Sequence, residues 1–130
     1  MSAIFLLVVL AGLGVAMVNI SSTQHTSSAL DVQGARAYHA ARAGIEWGLY
    51  RQLIGTACAA TTSFALPAGT TLSPFTVTVT CAVTAGPPAG VNLNRWLITS
   101  TACTQPDAGG NCPNPNPPPN YVQRVLQVQF

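Results

Sequence analysis

Two histidines, three carboxylates and four cysteines are the side chains from which an acid–base, nucleophilic or metal site could be drawn in this sequence. His25 and His39 lie fourteen residues apart, too far to share a metal along a helix. Asp31, Glu46 and Asp107 are scattered, so no two are placed to divide acid and base roles. There is no Ser/His/Asp set with supporting context, no HExxH, no phosphate-cradling glycine loop and no CxxC. The residues therefore predict a non-enzymatic protein with no metal and no cofactor. The cysteines can cross-link instead. Cys58, Cys81, Cys103 and Cys112 lack zinc-finger spacing and read better as two disulfides, which implies an oxidising compartment. Of the three pairings that four cysteines allow, Cys58 with Cys81 and Cys103 with Cys112 are favoured, because both close short loops beside the elements they brace.

Charge says more about partners than about chemistry. Arg36, Arg42, Arg51, Arg95 and Arg124 are the only basic residues besides the histidines, and charged residues make up 6% of the chain. That is sparse for a cytoplasmic surface. The arginines are too well separated to neutralise a run of phosphates, so nucleic acid is not an expected partner. With 48% hydrophobic residues the chain has the apolar surface to fold, and 130 residues suffice for one small domain plus an extended element.

The elements that would carry these residues follow from periodicity. From Ala3 to Val18 nothing is charged or strongly polar, with Ile4, Phe5, Leu6, Leu7, Val8, Val9, Leu10 and Leu13 its bulk. With Asn19 and Ile20 the run is about 27 Å long as a helix, close to the ~30 Å hydrocarbon core of a bilayer. A buried core helix and a cleavable signal are the rivals. The signal lacks a basic start and a small-x-small cleavage site. Asn19-Ile20-Ser21 matches a glycosylation sequon at the membrane boundary.

No proline interrupts the chain before Pro67, so the helix is expected to continue through the weaker Ser21–Ser28 stretch to about Leu53, some 76 Å in all. Ala37, Ala41, Ile45, Leu49 and Leu53 recur every four residues, flanked by Tyr38 and Trp47, and predict a stripe that packs on a sheet. Arg42 and Glu46 have the spacing of an exposed ion pair. Gly34, Gly44 and Gly48 either allow close approach between packed helices or are tolerated weak spots.

Beyond Gly55 the period becomes two. Phe75, Val77, Val79, Cys81 and Val83 alternate with Thr76, Thr78 and Thr80, predicting a strand with one buried face. A turn over Pro87–Asn92 leads to a second run, Arg95–Cys103. A loop rich in Pro, Asn and Gly precedes a third, Tyr121–Phe130, in which Val122, Leu126, Val128 and Phe130 share a face and Arg124 is the exception. The expected fold is α+β, a long N-terminal helix covering an antiparallel sheet of three to four strands. Residues 1–28 are read as the apolar half of the helix, 29–54 as its amphipathic half, and 55–130 as a disulfide-tied β-rich head.

Ser2–Gly14, Ala29–Gly48, Phe75–Cys81 and the closing Arg124-Val-Leu-Gln-Val-Gln-Phe130 together resemble the type IV pilin-like proteins, in particular minor pilins of the mannose-sensitive haemagglutinin (MSHA) pilus. The middle segment is the most specific part. The resemblance implies a pilin-like fold and a prepilin processed by a prepilin peptidase at the inner membrane, then assembled with other pilin subunits into an extracellular filament. Two features of the family are not seen: a basic leader with a glycine before the processing site, and a glutamate near the start, about where Ser2 stands. Every arginine follows the apolar stretch, whereas the orientation rule places basic residues on the cytoplasmic side. The sequence is therefore expected to start a few residues inside the mature protein. Rival readings are a pseudopilin of a secretion or DNA-uptake machine, and a membrane-anchored extracytoplasmic binding domain.

Overall fold

The computed structural model describes residues 2–56, 59–86 and 94–130, without the side chains of 19–26. Helix α1 spans Ser2–Gly55 and is followed by strands β1 (Thr61–Ala65), β2 (Thr76–Thr84), β3 (Arg95–Cys103) and β4 (Gln123–Gln129). The chain divides into two compact units, Met1–Val32 and Gln33–Phe130, and α1 contributes to both. The helix meets no proline and ends where Thr56 takes a left-handed backbone, φ 46°. A residue in that conformation directs the chain off the helical path.

The four strands pair in chain order, each antiparallel to the next, so the fold is α+β with a meander sheet. Pairing between β2 and β3 runs from Thr76↔Cys103 to Thr84↔Arg95 without a slip. Strand β1 was not located from sequence. It is short, and only the alternation of Thr62 and Phe64, which oppose Val79 and Val77, marks it. The predicted turn over Pro87–Asn92 falls in residues 87–93, outside the described residues.

Because opposed residues in an antiparallel sheet point to the same side, Val77 and Val79 share a face with Ala102, Ser100, Ile98, Leu126 and Val128. That face forms the core with Phe75 and with Ala37, Ala40 and Ala41 of α1. Arg124 lies on the same face, opposite Ala102, and its guanidinium reaches the helix backbone, since a Cβ built at Gly34 would sit 3.2 Å from Arg124 Nη2. Its place among apolar neighbours is thus explained by a glycine that leaves room for the planar group. Val83, expected on the buried face, is 52% exposed because it lies toward the end of β2, beyond the buried core residues.

The opposite face was expected to carry solvated threonines. Thr78 and Thr101 are instead buried. The loop after β3 folds back onto Thr78, held by the Cys103–Cys112 disulfide, whose Cα atoms are 5.8 Å apart. The Cys112 N–H donates to Thr78 Oγ1 at 2.7 Å, Thr78 and Ser63 hydroxyls meet at 2.8 Å, and Ser63 donates to Asn111 Oδ1 at 2.7 Å. Ser63 has one proton, given to Asn111, so Thr78 is the donor of the middle bond and each group in the relay is satisfied.

Candidate functional site

Within Met1–Val32 the large apolar side chains of the first turns are exposed. Ile4, Phe5, Leu6, Leu7, Val8, Val9, Leu10 and Leu13 are between 40% and 69% exposed, and Val15, Met17 and Val18 are exposed as well. A continuous apolar surface of this kind marks an interaction surface. Gly12 and Gly14 face open space, with nothing within 4 Å of a Cβ placed there. Ala3–Val18 covers about 24 Å as a helix. Among the described residues no helix is long and apolar enough to cross a membrane. Asn19, Ile20 and the sequon at Ser21 belong to the stretch whose side chains are not described, as does His25.

Within Gln33–Phe130 the helix solves the opposite problem. Ala37 and Ala41 are buried as expected, and Ile45 and Leu49 pack at the edge of the core with Trp47. Leu53, the last residue of the expected stripe, is 67% exposed and makes no part of the seal. Each step of four residues turns an α-helix by about 40° past a full circle, so four steps from Ala37 carry Leu53 about 160° round. The buried line instead follows Gly34, Ala37, Ala41, Gly44 and Gly48, alternating steps of three and four. The two lower glycines permit close approach to strands, not to other helices. A Cβ at Gly44 would overlap Ser100 Oγ and lie 2.5 Å from Val77 Cγ1, and one at Gly48 would lie 2.9 Å from Ile98 Cγ2. Among the described residues Ser100 Oγ, buried there, has no hydrogen-bond partner.

Cys81 is disulfide-bonded. Cys58, its expected partner, lies outside the described residues. The second expected pair, Cys103 with Cys112, is formed. Around the helix end, the Trp47 and Phe64 rings pack at 5.3 Å between centroids and Arg51 sits 5.7 Å above the Trp47 ring. Such a cation–ring contact at an exposed site contributes about 0.5–1 kcal/mol.

A groove of about 410 Å³ opens between α1 and the β1–β2 loop, lined by Arg36, His39, Arg42 and Glu46 on the helix and Thr71 and Leu72 on the loop. Arg42 Nε pairs with Glu46 Oε1 at 3.1 Å, the pair expected from spacing. Arg36 makes no ion pair or hydrogen bond among the described residues, and His39 touches only the edge of the Tyr38 ring, 5.8 Å between centroids. The groove was not anticipated, although basic residues at 36, 39 and 42 carry the spacing that puts side chains on neighbouring parts of one helix face. Among the described residues no three His, Cys, Asp or Glu side chains converge as a metal site. No known protein family, curated protein or solved structure matches the chain.

Proposed function

We propose that this chain is a type IV pilin-like subunit, a minor pilin or filament-forming pilin of the MSHA kind, that does its work by assembly and not by catalysis. The observation that carries the reading is the run Ile4–Val18, whose large side chains stay 40–71% exposed while residues 37–48 of the same helix are sealed against a sheet. Leaving that much apolar surface in water is unfavourable by about 25 cal/mol per Å². Lipid before assembly, and the helices of other subunits after it, would remove it from water. The disulfides support an extracytoplasmic head. The implied route is inner membrane, prepilin peptidase and pilus assembly machinery, then an extracellular filament.

Removal of residues 1–28 tests the reading. The unit Gln33–Phe130 is compact in its own right, so the shortened chain is expected to be soluble and monomeric while the full chain partitions into membranes or detergent and self-associates. Persistent membrane association of the shortened chain would defeat the proposal. Cysteines introduced at Leu7 or Leu10 should cross-link between copies if the helices bundle, and stay unlinked if the segment is a solitary anchor.

A further inference from the structure

The charges of this protein are few, and most can be traced to a partner or a place. Glu46 is paired with Arg42. Asp107 accepts the backbone N–H groups of Gly109 and Asn111 at 2.9 and 2.7 Å, which ties it into its own loop. Asp31 is exposed and makes no ion pair or hydrogen bond among the described residues. On the basic side, Arg51 lies over Trp47 and Arg124 lies against Gly34. Among the described residues Arg36 has no partner, and it shares the groove with His39 and with Arg42, whose guanidinium uses only its Nε on Glu46 and keeps its terminal nitrogens for another acceptor. The groove therefore carries two arginines and a histidine against one carboxylate, in a chain where charged residues are 6% of the total.

We propose that this groove seats the Asp31 carboxylate of a second copy of the chain and thereby sets the stagger between neighbouring helices. The inference rests on the assembly reading above. Within one chain Asp31 and Arg36 are five apart, the wrong spacing for a helical pair, which needs three or four. Between two parallel copies displaced lengthwise the spacing is free to match. A shift of five residues brings Asp31 of one copy level with Arg36 of the next, and a shift of eleven brings it level with Arg42, which are displacements of about 8 and 17 Å. Apolar side chains like those of Ile4–Val18 give attraction without a unique register, because such contacts are non-directional. A guanidinium fork closing on a carboxylate is directional and selects one. Leu72 walls one side of the groove, but the charged side chains there are largely exposed, so a pair formed there weakens as salt is raised.

A charge swap in the full-length chain tests this. Self-association is read by sedimentation equilibrium in density-matched detergent for the parent, Arg36→Glu, Asp31→Arg and the double variant, with Arg95→Glu as an off-groove control. Each single reversal is expected to weaken association roughly two- to tenfold. The double variant is expected to recover to within about twofold of the parent, and the control to match the parent. Urea unfolding of the head, unchanged in all four, excludes a folding defect. If neither single reversal weakens association, or the double variant fails to recover, the groove pairing is wrong while the assembly reading stands. Loss in Arg36→Glu but not in Asp31→Arg means the groove takes an anion from elsewhere, such as a lipid headgroup, and also overturns the pairing. A parent chain that does not associate at all overturns both.

Discussion

Residues 4–18 and residues 34–48 belong to one helix, yet the first stretch is built of large side chains left in the open, while the second turns a line of small, fully covered residues to the sheet. The difference shows that apolar bulk and burial need not go together. Between α1 and the sheet the bulk comes from Val77, Val79 and Ile98, so the helix contributes flatness, through Ala37, Ala40, Ala41, Gly44 and Gly48. In the first stretch the bulk is on the helix, and among the described residues its large side chains stay exposed.

Truncating one branched side chain in each region should separate them most widely. Ile98→Ala, which empties a fully buried site, is expected to destabilise the head by about 2–5 kcal/mol in urea unfolding followed by tryptophan fluorescence. Leu7→Ala should change that stability by less than about 0.5 kcal/mol, and should weaken self-association instead. Equal effects of the two on unfolding would erase the comparison. Next comes the covered second face of the sheet: replacing both Cys103 and Cys112 by serine is expected to lower stability by about 2–4 kcal/mol, and to release the loop from Thr78, read as faster exchange of the Cys112 amide position. A smaller but sharper test reverses sign between the regions. Gly44→Ala meets Ser100 and Val77 and should destabilise by about 1–3 kcal/mol despite a better helix propensity. Gly14→Ala meets open space and should raise helix stability by up to about 1 kcal/mol, seen by circular dichroism in micelles. Smallest of all, Arg42→Ala removes a pair whose side chains are 63% and 65% exposed, and should change unfolding by about 0.2–0.5 kcal/mol, vanishing in high salt.

Much of the architecture could be read from the amino-acid order. Strand β3 begins at Arg95 and ends at Cys103, the expected limits, because β-branched and aromatic residues fill it and a short-range alternation needs no tertiary help. The helix was legible for the opposite reason, a long stretch without proline. What escaped was anything set by packing between elements. The seal along Gly34, Ala37, Ala41, Gly44 and Gly48 is poor in hydrophobic bulk, and the exact fourfold spacing, still at the edge of the core at Leu49, has left the sheet by Leu53. Thr78 looked like a surface threonine until the Cys112 loop lay across it. The groove at Arg36, His39 and Arg42 depends on Thr71 and Leu72, supplied by a loop that no helical pattern reveals.

The two glycine hollows on the helix also act as a vernier. Four helical residues advance about 6.0 Å and two strand residues about 6.8 Å, so Gly44 against Ser100 and Gly48 against Ile98 fall nearly into step. The mismatch of about 0.8 Å grows with every repeat, which confines the tightest fit to two teeth of the scale. On either side of them, at Ala40 and Ala41 and at Gln52, a side chain is again accommodated, so the two hollows index where β2 and β3 meet this part of the helix.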